Sequence, residues 1–211
     1  MFLYKMVQKE PNKPRGRPRA YNPDHALANA RDTFWRQGYS ATSMDNLSEA
    51  TGMNRPSLYA AFGDKRALYL SAMDRYIDAA HQAMVATLAA DTPLEQALLK
   101  VCDLALALYF PAQADARGCF LIGTSVAEAM NDDAVREKLH AGLETFDRAF
   151  EDRFKRARKL GEIAATAKPA VLAKLASAII HTLALRSRTG DTKASLRATA
   201  VAGMKMICAS S

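Results

Sequence analysis

Apolar residues recur along this 211-residue chain at three- and four-residue intervals, and no segment alternates with a period of two. Such spacing belongs to helices packed through one face rather than to strands. The pattern therefore predicts an all-α protein of about nine helices. The first opens at Asn22-Pro23-Asp24: Asn is the N-cap, Pro suits the first turn, and Asp lies at the positive end of the dipole. Leu27, Ala30 and Phe34 share its inner face, and Gly38 stops it. Thr42-x-x-Asp45 is a capping-box variant for a second helix, with Met44, Leu47 and Ala50 buried and Gly52 as the stop. Met53 tucks into the turn. Asn54 caps a third helix that carries Pro56 in its first turn, Leu58 and Phe62 inward, and Gly63 at its end.

Asp64 caps a fourth helix over 65–90, the longest stretch without Pro or Gly, with Leu68, Ala72, Tyr76, Ala79, Ala83 and Ala86 on one stripe. Asp91-Thr92-Pro93 breaks it, and Thr92 caps a helix to about residue 109. A loop over 111–118 precedes a short apolar helix over 119–130. Asp132 or Asp133 caps the next, which runs to about 160. Lys168-Pro169 starts another to about 187, and Thr189-Gly190-Asp191-Thr192 separates it from the last, over 193–208. The expected division is an arm over 1–19, a three-helix helix-turn-helix module over 20–64 and a larger helical bundle over 65–211.

Composition narrows the function. With 49% apolar and 24% charged residues the chain is an ordinary globular one. No run approaches the about 18 uninterrupted apolar residues of a membrane span, and Met1-Phe-Leu-Tyr-Lys is too short for a secretory core. A cytoplasmic protein with no membrane partner is expected, with Met1 and Met6 both open as the start. The net charge of +7 is concentrated in one place. Lys5, Lys9, Lys13, Arg15, Arg17 and Arg19 face only Glu10, and Pro11, Pro14 and Pro18 keep this arm unhelical. A polyanion contact and a solvated tail are its two readings.

Cys102, Cys119 and Cys208 cannot all pair and match no zinc spacing, so reduced, buried thiols are expected. A redox pair of Cys102 with Cys119 is the alternative, and it needs Cα atoms within about 7 Å. His140 and His181 lack partners at ligand spacing, so neither a metal nor a cofactor is expected. There is no phosphate loop, HExxH, SxxK or GxSxG motif to suggest an enzyme.

The stretch over 43–65 carries most of the functional information. Two short helices joined by a Gly turn, with polar residues opening the second, suit a helix N-terminus placed in a DNA major groove. Together with Gly16-Arg-Pro-Arg19, Ala30-x-x-x-Phe34, Gly38-Tyr39-x-x-Thr42-Ser43-Met44, Leu47-x-x-Ala50-x-Gly52-Met53 and Ser57-Leu58-Tyr59-x-x-Phe62-Gly63-Asp64-Lys65, it resembles the TetR/AcrR family of bacterial transcriptional repressors. Arg66 departs from the acidic residue often found in that family and adds charge beside the expected phosphate contacts.

The resemblance implies a homodimeric repressor of a double-stranded, pseudo-palindromic DNA operator, released by a small-molecule effector. Arg55, Ser57 and Tyr59 would face the groove. Arg55 suits guanine, Pro56 a thymine methyl and Tyr59 the backbone. Thr42 and Ser43 would offer hydroxyls and amides to one phosphate, Lys65 would clamp another, and Arg15, Arg17 and Arg19 would reach the minor groove. The implied effector pocket lies among helices four to seven, with Met84, Cys102, Leu106, Phe110, Phe120, Phe146 and Phe150 as candidates for an apolar or aromatic ligand. Dimer candidates on the last two helices are Leu172, Leu175, Ile179, Leu183, Leu196, Met204 and Ile207. A regulator without small-molecule control and a cysteine-based redox regulator are the alternatives.

Overall fold

In the computed structural model, which describes residues 22–112 and 115–209, the described residues form nine α-helices and no strand. They are α1 (Pro23–Gln37), α2 (Met44–Thr51), α3 (Arg55–Phe62), α4 (Lys65–Ala89), α5 (Leu94–Tyr109), α6 (Phe120–Ser125), α7 (Asp133–Lys159), α8 (Pro169–Arg188) and α9 (Lys193–Ala209). A 3-10 turn, Glu128–Met130, separates α6 from α7. The helix 119–130 read from the sequence is thus two pieces. Thr124 and Ser125 return their hydroxyls to the carbonyls of Phe120 and Leu121, a local competition that shortens helices.

α1, α2 and α3 bury Phe34, Leu47, Met53 and Leu58 against the first turns of α4. α4 then runs on as one wall of the bundle formed with α5, α7, α8 and α9. Leu68, Ala72 and Tyr76 are buried as expected, but Ala79, Ala83 and Ala86 are not. Beyond Tyr76 the inner face passes to Ile77, Met84 and Leu88. α7 passes close to α4 and α6 at Gly142, where a Cβ would stand 2.9 Å from both Ile77 Cδ1 and Leu121 Cδ2. α8 is long and apolar enough, by length and composition, to cross a bilayer. Its inner face, including Leu172, Ala176 and Leu183, is buried, and it packs on α7, α9 and α5.

Two caps differ from expectation. Ser43, not Thr42, opens α2: its Oγ accepts the Asn46 amide at 3.1 Å, and Asn46 Oδ1 accepts the Ser43 amide at 2.9 Å. Thr42, 1% exposed, instead donates to the Gly38 carbonyl at 2.6 Å, one of the orphan acceptors at the end of α1. Thr92 likewise does not cap α5. The Leu94 amide is taken by Glu162 Oε1, 68 residues away, at 2.9 Å.

That Glu162 is the outer partner of a buried arginine. Arg153, 2% exposed at its side chain, donates to Glu162 Oε2 at 2.7 Å and to the Thr92 carbonyl at 2.9 Å. The Arg153 guanidinium holds the Glu162 carboxyl below its usual range. One ion pair so ties the α4–α5 turn to α7 and the chain beyond it. Removing Arg153 leaves the Thr92 carbonyl without its donor, while Glu162 keeps its access to water. Arg153→Ala is expected to lower unfolding free energy by about 1–3 kcal/mol in urea titration. A loss below about 1 kcal/mol, within the range of exposed pairs, would show that water replaces the guanidinium.

Candidate nucleic-acid interface and ligand cavity

The exposed side of α3 is set by its buried one. Leu58 and Met53 anchor the helix, so Arg55, Pro56 and Tyr59 face outward, with Ser57 half-buried beside them. Asn54 Oδ1 accepts the Ser57 amide at 2.9 Å and fixes the start of the helix. Ser43 is exposed near by, at the start of α2. Arg55 does not stand alone: its Nε donates to Asp45 Oδ1 at 2.7 Å, and a terminal nitrogen pairs with Asp45 Oδ2. A guanidinium has five N–H donors, so three remain to face a base edge or a phosphate. Asp45, whose spacing from Thr42 suits a capping box, holds Arg55 instead.

Two expected phosphate ligands are turned inward. The Thr42 side chain is buried, as described above. Lys65 Nζ donates to the carbonyls of Tyr39 at 3.0 Å and Thr42 at 2.9 Å, and lies 4.3 Å from the Tyr39 ring centroid. Two of its three donors hold the α1–α2 turn against the first turn of α4. Arg66 is also committed. Its Nε and Nη2 reach the two oxygens of Asp132 at 2.5 and 2.8 Å, and Arg66 holds that carboxyl down to about 2. Asp132 also caps α7, so this pair joins α4 to α7. Ser40 donates to Glu128 at 2.6 Å on the same side. Arg15, Arg17 and Arg19 lie outside the described residues.

A cavity of about 310 Å³ lies between α4, α5, α6, α7 and α8, with α1 at one side. Met84, Phe146 and Phe150 line it as expected; Cys102, Leu106, Phe110 and Phe120 do not. The reason is helical phase. α5 turns Val101, Leu104, Ala105 and Leu108 to the space, and Cys102 and Leu106 fall on its other, buried side. The alanines that fell off the α4 stripe, Ala79 and Ala83, form part of the wall. Small residues on a helix flanked by large ones were the signal available in the sequence.

The polar groups of the wall were not foreseen. Tyr76, Tyr109, Cys119, Ser177, His181 and Arg31 all line the space. Tyr76 shares a hydrogen bond with the Cys119 sulfur at 3.3 Å, and Tyr109 makes another to the same thiol. Burial lowers the pKa of His181, leaving a neutral ring at pH 7. Burial also pushes up the Cys119 thiol, and the Cys102 thiol to about 12. No disulfide joins Cys102 to Cys119. Thiolates, the species that react with oxidants, are therefore scarce at both sites.

Most of the expected dimer residues serve the chain's own core. Leu172, Leu183, Leu196, Met204 and Ile207 are buried within one subunit, and Ile179 is half-buried. Of the set only Leu175, 49% exposed, faces outward. It joins Val171 and Leu185 on one stripe of α8, and Met206 of α9 is 68% exposed. Apolar periodicity marks the inner stripes, which are the more apolar ones.

These features have counterparts in known proteins. A family model described as bacterial regulatory proteins of the tetR family matches residues 26–72, and one described as a tetracyclin repressor-like C-terminal domain matches residues 93–202. The HTH-type transcriptional repressor ComR of Escherichia coli (strain K12) is 32% identical over 181 residues, 84% of this chain and 85% of its own length. The repressor BdcR of the same organism is 33% identical over 96 residues, 46% of this chain and 49% of its own. A cysteine mutant of the TetR family transcriptional regulator CifR, solved with 26 bp double-strand operator DNA, superposes with a TM-score of 0.83. It is 27% identical and covers 90% of this chain and 98% of that one. Reduced E. coli NemR, at 18% identity and a TM-score of 0.77 over 87% of this chain and 94% of its own, shares the fold.

The inward Lys65 makes a stability prediction. Lys65→Ala frees two carbonyls and should cost about 1–2 kcal/mol in urea titration, since the site is half-buried and water can partly replace the ammonium. No loss would return Lys65 to the solvent-facing role expected from sequence. A second prediction concerns acid. The folded-state pKa of Asp132, about 2, lies below its ordinary 3.8. Its contribution is therefore complete above the ordinary value and is lost as pH falls toward the folded one. Asp132→Asn should remove that part of the acid limb in a plot of Tm against pH; an unaltered limb would contradict the pairing.

Proposed function

This chain belongs to the TetR family of bacterial regulatory proteins, and on that premise we propose that it is a homodimeric, cytoplasmic transcriptional repressor released from its operator by a small molecule. Residues 20–64 act as the DNA-reading head and residues 65–211 as the ligand-binding and dimerisation body. The observation that carries the reading is the outward face of α3, Arg55, Pro56, Ser57 and Tyr59, on a chain that superposes with a regulator bound to operator DNA.

Arg55 reads guanine with the donors that Asp45 leaves free, and Asp45 holds the guanidinium at one angle. Ser43 and the exposed amides at the start of α2 meet a phosphate. Arg66 and Lys65 contribute position more than direct contact, because their charges are held by Asp132 and by two carbonyls. Arg15, Arg17 and Arg19 extend the contact into the minor groove. The stripe of Val171, Leu175 and Leu185 meets its own copy across a two-fold axis, so two heads read a pseudo-palindrome. The cavity of about 310 Å³, largely apolar, takes the effector.

Selection from a random DNA pool tests the whole reading, which expects an inverted repeat; asymmetric or unselective binding would overturn it. On the selected operator, Arg55→Ala should cost about 1–3 kcal/mol and relax specificity at one position. An equal loss on random DNA would make Arg55 a phosphate contact only. Leu175→Glu places a charge in the proposed interface, and light scattering should then give a mass near the 23.0 kDa of one chain. A variant that stays dimeric rules this stripe out.

A further inference from the structure

We propose that the ligand of the cavity is an organic monoanion, an apolar or aromatic body bearing one carboxylate, and that Arg31 is the residue that recognises its charge. The proposal rests on the reading of the cavity as the effector site and names the chemistry of what enters it.

Among the described residues that line the cavity, Arg31 is the one with a formal charge; the rest are apolar, aromatic or neutral polar groups. Its charge is only partly balanced. Arg31 donates to Asp32 Oδ1 through Nε at 3.0 Å and Nη2 at 2.8 Å, and Arg117 Nη1 stands 3.6 Å from that same oxygen. One carboxylate thus serves two guanidiniums. Burial chiefly pulls the pKa of Arg117 down; Asp32 opposes that shift, and Arg31 and Arg36 add to it. A carboxylate arriving through the cavity would meet Arg31 with the best-matched partner for a guanidinium. An amine would meet net repulsion.

The same residues tie the ligand to the reading head. Arg31 and Trp35 are on α1, and both line the cavity. Arg117 covers the Trp35 ring with its guanidinium carbon 3.8 Å from the centroid, and its carbonyl accepts the Trp35 Nε1 proton at 3.1 Å. An anion that draws Arg31 from Asp32 therefore loosens the cluster that seats α1, in addition to any push on α4.

The test compares phenylbutyrate with phenylbutyramide, alike in shape and different in charge, by calorimetric titration of the full chain. The acid should bind about tenfold tighter or more, the ratio expected of a charged hydrogen bond. Arg31→Gln should bring the two ligands to parity, and Arg31→Lys should keep the preference for the acid; thermal melts establish that both variants are folded. Equal affinity in the wild type, discrimination that survives in Arg31→Gln, or no binding of either probe would overturn the proposal. Operator binding by the unliganded protein is measured alongside by fluorescence anisotropy. Its loss would sink the regulatory reading, whereas a failure to prefer the acid would leave that reading standing.

Discussion

Six aromatic rings, Phe34, Trp35, Tyr39, Tyr69, Tyr76 and Phe120, meet where α1, α4 and α6 cross, and the other parts of the molecule take their positions from that contact. Tyr39 and Tyr69 lie 4.7 Å apart by centroid, Phe34 and Tyr69 5.1 Å, Trp35 and Tyr76 5.3 Å, and Tyr76 and Phe120 5.4 Å, several of them edge to face. Each such pair contributes about 0.5–1.5 kcal/mol beyond the area it buries. The buried polar tips are satisfied: Tyr69 bonds Thr124 at 2.8 Å, Tyr76 the Cys119 sulfur, and Trp35 the Arg117 carbonyl. The knot joins the first three helices to the bundle as one packed body. It also places two of its rings, Trp35 and Tyr76, in the wall of the cavity. Whatever fills that space touches the joint itself.

Around the knot, charge pairs fix angle more than they add stability. Arg66 with Asp132 and Lys138 with Asp74 join α4 to the start of α7, and the neutral Ser40 hydroxyl adds a hydrogen bond from the α1–α2 turn to Glu128. Exposed pairs of this kind contribute little each, but a set of them selects one orientation of α4 against α7. Lys65 acts similarly at shorter range, holding the α1–α2 turn through two carbonyls. The Arg153–Glu162 pair is different in kind, because the guanidinium is 2% exposed and has no water to fall back on, whereas the carboxylate keeps 24% exposure.

The local elements of the fold were legible in the chain. Asn22, Asn54 and Asp64 cap their helices as the sequence implied, and Gly38, Gly52 and Gly63 end theirs with positive φ. These signals act within four residues, so they survive without knowledge of the fold. The errors have longer causes. Glu162 reaches across 68 residues to the start of α5, and the distance in sequence hides it. Thr42 lost the cap to Ser43 because its hydroxyl was needed by the carbonyl of Gly38.

The candidate sites divide the same way. Periodicity identified α5, α8 and α9 as apolar, but a helix with apolar residues on two faces does not say which face is inner. Cys102, Leu106, Leu183 and Met204 went to the core, while Leu108, Tyr109, Leu175 and Leu185 met the cavity or the outside. The sequence by itself determined the helical class, the reading head and the family, because caps, turns and motif spacing are local properties. Tertiary structure alone decided that Lys65 and Arg66 are held by carbonyls and by Asp132, and that Arg31 of the first helix reaches the cavity. Those outcomes depend on which distant groups packing brings within hydrogen-bonding reach, and no spacing along the chain encodes that distance.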